Sequence, residues 1–189
     1  TTTYTTAALT STLYYRVQIT QSPNGCETFS NAAPVFVTNI TAQPTTPAPI
    51  CVGGIINLTI TASLNGGAGT LSYQWQSSVN GTSGWANVSG GIGGTTNSYT
   101  SGALSASTFY RCIVTSSTTN CTLTSNTVQA TVVPDPSITV QPTGTTICSG
   151  GNHTLTVVAT NGTPSLAYQW SSSIDNITFN IFLPKSNKE

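Results

Sequence analysis

The side chains that most often carry acid–base or metal chemistry are scarce in this chain. Histidine occurs once, as His153, and the carboxylates are Glu27, Asp135, Asp175 and Glu189. A hydrolase triad needs histidine beside a nucleophile and a carboxylate, and glycoside hydrolysis needs two carboxylates facing one bond. No two of these acids are close in sequence, and one acid is too few for a tight calcium site. The sequence therefore predicts a non-enzyme with no catalytic residue, metal site or cofactor.

The charge of the chain excludes further classes of function. Charged residues make up 4% of the 189 residues and the formal net charge is zero, whereas about 25% is typical of soluble domains. The basic residues are too few to displace the counterions of nucleic acid; they are Arg16, Arg111, Lys185 and Lys188. No apolar run approaches the roughly 18 residues of a membrane helix. We expect no nucleic-acid partner and no membrane insertion.

The chain repeats itself with a period of about 95 residues. Tyr73-Gln74-Trp75 recurs as Tyr168-Gln169-Trp170, and Tyr15-Arg16 recurs as Tyr110-Arg111, each 95 residues later. A period of this kind indicates stacked units of one fold. The predicted segments are a rear half of one repeat (1–39, the rear-half segment), a complete repeat (40–135, the middle repeat), a front half of a third (136–182, the front-half segment) and a non-repeat tail (183–189).

The elements that position these residues are predicted to be strands. Residues 58–62 and 127–132 alternate apolar with polar side chains at a period of two, as half-buried strands do. Clusters of Gly and Asn at 65–69 and of Ser and Gly at 89–94 separate such runs and break any helix. A repeat of about 95 residues has the size of a β-sandwich domain. We predict an all-β chain of tandem sandwiches.

The motifs within the repeat resemble a known family. Trp75 follows Cys51 by 24 residues and Tyr110-Arg111-Cys112 comes later, which is similar to the immunoglobulin pattern of a buried Trp and a Tyr two residues before a cysteine. Together with Cys-x-Gly-Gly at 51–54 and Cys121-Thr-Leu-Thr-Ser-Asn, the pattern resembles the immunoglobulin-like repeats of very large bacterial surface proteins, including gliding and biofilm adhesins. The resemblance implies tandem immunoglobulin-like sandwiches that serve as stalks, spacers or binding modules.

The resemblance also implies roles for the recurring aromatic residues. Trp75 and Trp170 are expected inside the sandwich, as structural core. Tyr15 and Tyr110 are expected to form tyrosine corners, in which the hydroxyl ties a strand to nearby backbone. All four are interpreted as structural residues.

One small surface is a candidate ligand site. Phe109 and Arg111 alternate with the inward-facing Tyr110, so their side chains are expected on the outer face of the same strand. Trp85 is a candidate platform for sugar, although closing the sheet edge is the favoured interpretation. The sequence leaves a carbohydrate or protein ligand at Trp85, Phe109 and Arg111 as a hypothesis.

The cysteines are interpreted through the repeat. Cys51 recurs as Cys148 and Cys26 as Cys121, so a crosslink belonging to every repeat would join Cys51 with Cys121. The rival pairing joins Cys51 with Cys112, which is otherwise expected to be a small buried thiol. A disulfide between Cys26 and Cys148 of two chains is a further candidate. Disulfides would place the protein in an oxidising compartment, outside the cell.

Three functions from different classes remain after these exclusions. The first is a structural stalk or spacer in an extracellular bacterial adhesin at the cell surface. The second is a self-assembling filament, in which the front-half segment of one chain completes the rear-half segment of the next. The third is an immunoglobulin-like module that binds carbohydrate or protein. The expected partners are neighbouring repeats, copies of the same chain, or surface glycans.

Overall fold

The structure of the chain is a computed structural model that describes residues 2–162 and 165–181. The non-repeat tail, 183–189, lies outside the described residues. Within the described residues the regular structure consists of β-strands with no helix, which confirms the all-β prediction. The chain divides into two compact units, Thr1–Val132 and Val133–Glu189, and each is described by itself.

The rear-half segment forms two antiparallel pairs of short strands. Its strands are β1 (Leu13–Tyr15), β2 (Gln18–Gln21), β3 (Cys26–Phe29) and β4 (Ala33–Val35). β1 pairs with β4, and β2 pairs with β3. With one layer of strands, this segment leaves much of its apolar side exposed.

The middle repeat is a two-layer sandwich. Its strands are β5 (Asn39–Ala42), β6 (Ile50–Cys51), β7 (Asn57–Thr59), β8 (Thr61–Ser63), β9 (Leu71–Ser78), β10 (Ala86–Asn87), β11 (Ser98–Thr100), β12 (Thr108–Ser116), β13 (Thr122–Thr124), β14 (Val128–Ala130) and β15 (Val132–Val133). One layer has the order β10-β9-β12-β13, with β14 also paired to β12; the other contains the pairs β5–β8, β7–β11 and β6–β15. This is the immunoglobulin-like arrangement of two packed antiparallel sheets.

The core of the middle repeat lies between the two layers. Side chains on β12 alternate inward and outward, so that Tyr110, Cys112 and Val114 are buried. Opposite them lie Leu58 and Ile60 of the other layer. This alternation is the period-two pattern of a strand with one face on the core.

Trp75 occupies the centre of this core. The side chain is fully buried, and its indole Nε1–H donates to the Thr96 carbonyl over 2.9 Å. The ring stacks on Tyr99 with centroids 6.0 Å apart. Cys112 pairs with Trp75 across β12 and β9, so inward-facing residues of the two central strands lie side by side in the core.

The structure gives the expected hydrogen bond from a tyrosine hydroxyl to the backbone to Tyr99, whereas the sequence predicted it for Tyr110. Tyr110 is buried beside Tyr99, with centroids 5.8 Å apart, but it is the Tyr99 hydroxyl that donates to a backbone group, the Gly90 carbonyl, over 3.3 Å. Burial raises the pKa of Tyr110 to about 12, against the opposing effect of a hydrogen bond with the Thr108 side chain.

The front-half segment is more open than the middle repeat. Its strands are β16 (Ser137–Val140), β17 (Val158–Thr160), β18 (Ser171–Ser172) and β19 (Asn180–Ile181). β16 pairs with β17, and β18 with β19. Trp170 was expected in the core but remains 39% exposed. Its counterpart Trp75 is covered by the later strands of the middle repeat, and within the described residues no equivalents of β11, β12 and β14 follow Trp170.

One loop recurs in both units with the same hydrogen bonds. Asn80 Oδ1 accepts from the amides of Thr82 and Ser83. Ninety-five residues later, Asp175 Oδ1 accepts from the Ser173 hydroxyl and from the amides of Ile177 and Thr178. These bonds, led by Ser173, lower the pKa of Asp175 to about 2. The hydrogen bonds of this turn therefore recur between repeats, as the core positions do.

Candidate functional site

The outer face of the five-stranded sheet brings the candidate ligand residues together. Arg111 pairs with Gln76 across β12 and β9; Arg111 lies between buried Tyr110 and Cys112, and Gln76 follows buried Trp75. Trp85 precedes β10 at the edge of the same sheet. We name this surface, formed by Trp85, Phe109, Arg111, Gln76 and Asn87, the outer patch.

The centre of the outer patch is a cation–aromatic stack. The guanidinium carbon of Arg111 lies 4.3 Å from the centroid of the Trp85 ring. Arg111 Nε donates to Gln76 Oε1 over 3.0 Å, and Gln76 Nε2 donates to Asn87 Oδ1 over 3.2 Å. Stacking of this kind contributes on the order of 0.5–1 kcal/mol at an exposed site. The contacts hold the guanidinium over the indole ring.

Phe109 extends the outer patch toward the loop after β9. A Cβ added at Gly81 would lie 2.8 Å from Phe109 Cδ1, so the phenyl ring rests on that glycine. Gly81 also has a φ of +71°, which glycine adopts without strain. The loop and the ring are therefore matched in shape.

Chemically the outer patch suits hydrogen bonding to a polar ligand on an aromatic support. Its members offer guanidinium and amide donors beside two aromatic rings, and they include no carboxylate, imidazole or thiol. The sequence prediction missed Gln76 and Asn87. Period-two alternation from buried Trp75 would have placed Gln76 on this face, whereas Asn87 reaches it only through the pairing of β10 with β9.

The equivalent arginine of the rear-half segment finds another aromatic partner. The guanidinium carbon of Arg16 lies 4.3 Å from the centroid of the Phe29 ring. Phe29 lies on β3, across from β2, and Thr124 occupies its place in the middle repeat. An arginine with an aromatic ring beside its guanidinium is thus common to both repeats, although the ring lies on β3 in one and just before β10 in the other.

A second built feature is the junction between the rear-half segment and the middle repeat. Asn65 Nδ2 donates to the Val37 carbonyl over 2.6 Å and to Asn39 Oδ1 over 3.1 Å. A Cβ added at Gly66 would lie 2.7 Å from the Phe36 ring, and one at Gly67 would lie 3.2 Å from Phe36 Cβ. We name this set (Phe36, Val37, Asn39 and the turn 65–67) the repeat junction.

The same turn recurs in the second unit. Asn161 and Gly162 have positive φ values of 61° and 77°, as Asn65 and Gly66 have 51° and 95°. A Cβ added at Gly162 would lie 3.1 Å from the ring of Pro136, the residue just before β16. Each Asn-Gly turn is therefore packed against a residue that lies one to three positions before the first strand of its repeat.

The cysteines overturn the expected disulfide. All five are free thiols, with Cys112 buried and the other four exposed. The Ile50 amide donates to Thr131, beside the start of β12, whereas the Cys121 carbonyl accepts from Ser116, at its end. Eight strand residues separate these points by about 26 Å, and a disulfide requires Cα atoms roughly 4.4–6.8 Å apart. The prediction of a Cys51–Cys121 bridge is therefore wrong.

The same geometry bears on the two other pairings. Cys112 lies in the middle of β12 opposite Trp75, whereas Cys51 lies at the end of the sandwich. The two thiols are therefore too far apart for a disulfide. Cys148 and Cys26 are the repeat counterparts of Cys51 and Cys121, so they would lie at opposite ends of any sandwich that the two half segments completed together. A disulfide cannot lock such a sandwich.

Thiol labelling tests this arrangement. Burial raises the pKa of Cys112 to about 11, and the thiolate is the reactive form. With an alkylating reagent at pH 8 and no reductant, we expect mass spectrometry to show rapid modification of four of the five thiols. Cys112 should react only after denaturation. Modification of no more than two exposed thiols would contradict the free-thiol arrangement.

The remaining chemistry of the described chain is sparse. His153 is exposed and contacts the Thr143 carbonyl over 3.0 Å. Within residues 2–162 and 165–181, no three His, Cys, Asp or Glu side chains are close enough to hold a metal ion. The same residues contain no helix long and apolar enough to cross a membrane.

The two packed sheets, the buried Trp75 and the recurring motifs define this chain as a protein of tandem immunoglobulin-like repeats. The model of one family, described as a domain of unknown function (DUF8696), matches residues 40–134. This match covers half of the chain, and the chain belongs to that family.

Solved structures with similar folds are multidomain immunoglobulin proteins. Sidekick-1 immunoglobulin domains 1–5 match with 15% identity and a TM-score of 0.40, over 69% of this chain and 29% of that one. Drosophila OTK extracellular domains 3–5 match with 21% identity and a TM-score of 0.39, over 70% and 43% respectively. The chain thus spans less than half the length of either structure. No curated protein matches this sequence.

Proposed function

We propose that this chain is a segment of a structural stalk in an extracellular bacterial surface adhesin. The observation that supports this proposal is the repeat junction. Three residues, 36–38, separate the end of β4 from the start of β5. Phe36 packs on the glycine turn, and the Val37 carbonyl accepts a hydrogen bond from Asn65. A stalk needs repeats joined by connections that allow little bending. The proposed function involves no catalytic step.

The junction differs in physical terms from a flexible linker. A Gly- and Ser-rich linker of free residues samples many orientations as a random coil. Here the Asn65 side chain donates to Val37 within the connection and to Asn39 at the start of β5, and the Val37 amide donates to Thr12 Oγ1 of the rear-half segment over 3.1 Å. Consecutive repeats joined this way would bend little. Reach and stiffness follow from adding repeats.

The surface composition supports a spacer outside the cell. With 4% charged residues and zero net charge, the repeats exert little electrostatic steering on charged partners and little repulsion on each other. Hydroxyl and amide groups keep such a surface hydrated. We place the protein at the cell surface, with neighbouring repeats as its principal contacts.

Substitution of Asn65 tests the role of the junction. Asn65→Gly removes the amide but keeps the positive φ, whereas Asn65→Ala removes the amide and strains the turn. Each lost hydrogen bond is worth about 1 kcal/mol. We therefore expect hydrogen exchange in residues 37–42 to quicken roughly tenfold or more in both variants. Asn161→Gly, in the equivalent turn of the second unit, is the control that should leave residues 37–42 unchanged. Unaltered exchange in Asn65→Gly would sink the proposed role.

A second candidate function is a module that binds carbohydrate or protein. The observation favouring it is the outer patch, where Trp85, Phe109 and Arg111 lie on one face with amide donors beside them. An aromatic ring next to an arginine is a common binding hot spot.

Array screening with matched variants tests this second function. On an array of glycans and surface proteins, we expect the wild-type chain to bind a polar ligand and Trp85→Ala to reduce binding about tenfold or more, as loss of a hot spot does. Ile92→Ala, at an exposed position outside the patch, is the control. Absence of any wild-type ligand, or equal loss in both variants, would remove the binding function and leave the stalk proposal untouched.

A further inference from the structure

The outer patch holds a positive charge that its own repeat does not neutralise. Between positions 40 and 134 the sequence has one charged side chain, Arg111, and no aspartate or glutamate. Within the described residues, the side chain of Arg111 contacts the Trp85 ring and Gln76 Oε1 and forms no ion pair. The guanidinium therefore lacks a carboxylate partner on this surface.

The contacts of Arg111 leave the end of its guanidinium available. The Trp85 ring supports one face, and Nε donates to Gln76 Oε1. Gln76 is held in turn by its bond to Asn87 Oδ1. Within the part of the chain that the structure describes, Nη1 and Nη2 of Arg111 donate to no protein group. These two groups form a rigid fork that matches the two oxygens of a carboxylate.

The rest of the outer patch suits a sugar ring better than a peptide. Trp85 and Phe109 are half-buried, so part of each side chain is open to a ligand. Aromatic rings pack on the C–H faces of sugars, and amides such as that of Asn87 bind hydroxyls. A peptide added as a strand would need a free sheet edge, whereas β12 carrying Arg111 lies between β9 and β13.

The same arrangement belongs to the repeat and not to one copy of it. Arg16 lies 95 residues before Arg111, and its guanidinium is beside the Phe29 ring. No other charged residue of the chain recurs at its equivalent position. Because one charge exerts little long-range attraction, binding to each repeat should depend on short-range contacts and be weak. Repetition strengthens weak binding to a polymer through effective concentration.

We infer that the outer patch binds an acidic polysaccharide, with a uronate carboxylate paired to Nη1 and Nη2 of Arg111. The sugar ring packs beside Trp85 and Phe109, and the Asn87 amide binds its hydroxyls. This inference rests on the proposed binding function and specifies its ligand class, a sugar polymer that carries carboxylates. The stalk proposal does not depend on it.

Matched ligands test the carboxylate without any change to the protein. The isotope-labelled chain is titrated with short oligomers of galacturonate or mannuronate and with their methyl esters, which keep the sugar ring but remove the negative charge. Nuclear magnetic resonance follows the Trp85 indole N–H and the Arg111 Nε–H. We expect both signals to shift with the acids. The esters should bind about tenfold or more weakly, since hydrogen bonds between charged groups are the stronger ones.

Two substitutions of equal charge separate the outer patch from the net charge of the chain. Arg111→Gln and Arg16→Gln each remove one positive charge. We expect Arg111→Gln alone to weaken the binding seen at Trp85, by about tenfold or more. Arg111→Lys should also weaken it, because lysine keeps the charge and loses the fork. An unshifted indole signal of buried Trp75 shows that each variant is folded.

Any of four results would overturn the inference. The first is equal affinity for acid and ester, which leaves the broader binding function standing because a neutral ligand then uses Trp85. The second is equal loss of binding in Arg111→Gln and Arg16→Gln. The third is tighter binding of a peptide with a free terminal carboxylate than of either oligomer, which makes the ligand a protein. The fourth is no shift at Trp85 with either acid.

Discussion

Replacing Trp75 with alanine is expected to unfold the middle repeat or bring it close to unfolding. The side chain is fully buried, and its indole N–H satisfies the Thr96 carbonyl. Truncating a buried Trp to alanine costs about 3–5 kcal/mol, and the Thr96 carbonyl loses its partner as well. Domains of this size have a total stability of about 5–15 kcal/mol. One substitution would therefore consume a large share of the stability.

The chain supplies a matched control for this change. Trp170 occupies the equivalent position in the front-half segment but is 39% exposed. We expect Trp170→Ala to cost the middle repeat less than about 0.5 kcal/mol, the range of distant surface substitutions. Urea unfolding followed by far-ultraviolet circular dichroism measures both variants without relying on tryptophan fluorescence. Equal midpoints for Trp75→Ala and wild type would show that Trp75 is not the centre of the core.

The second large effect is expected from Gly91→Ala. Gly91 has a φ of +76°, and an added Cβ would collide with the Thr100 carbonyl oxygen and lie 3.0 Å from the Gly102 amide nitrogen. These are backbone atoms next to the bridge between Ile92 and Thr100, so neither can move without breaking it. Left-handed φ costs a non-glycine residue about 1–2 kcal/mol, and overpacking adds about 1–3 kcal/mol.

The neighbouring glycine separates the two contributions. Gly90 has a φ of +83°, but an added Cβ would meet nothing within 4 Å. Gly90→Ala should therefore show only the cost of the left-handed backbone, about 1–2 kcal/mol. Thermal or urea unfolding of both variants gives the difference directly. If Gly90→Ala proves as destabilising as Gly91→Ala, the close backbone approach at Gly91 is not what requires glycine.

The sequence predicted the features that depend on local periodicity. Alternation along residues 127–132 and around Tyr110 identified strands with one buried face, and the resemblance to the immunoglobulin pattern implied that Trp75 is a core residue. Such patterns arise because a strand presents every second side chain to the core. Phe109 and Arg111 of the outer patch were predicted for the same reason, since they alternate with Tyr110.

The failures concern distances that recurrence does not report. Cys51 and Cys121 recur together, yet the length of β12 separates them. Trp170 repeats Trp75, yet its burial depends on strands beyond its own segment, which in the middle repeat follow Trp75. Asn65 gave no signal of its own, because its hydrogen bond with Val37 joins residues 28 positions apart. Recurrence identifies equivalent positions, whereas contacts across the fold depend on how the strands pair and stack.

The stiffness of the repeat junction is the central claim, and a distance distribution tests it most directly. Cys26 in the rear-half segment and Cys51 in the middle repeat are exposed and accept spin labels, whereas Cys112 is buried. With Cys121 and Cys148 replaced by serine, double electron–electron resonance on a dilute sample reports the distance between the two labels. We predict a single narrow peak that broadens in Asn65→Ala. A broad distribution in the chain with intact Asn65 would contradict a stiff junction.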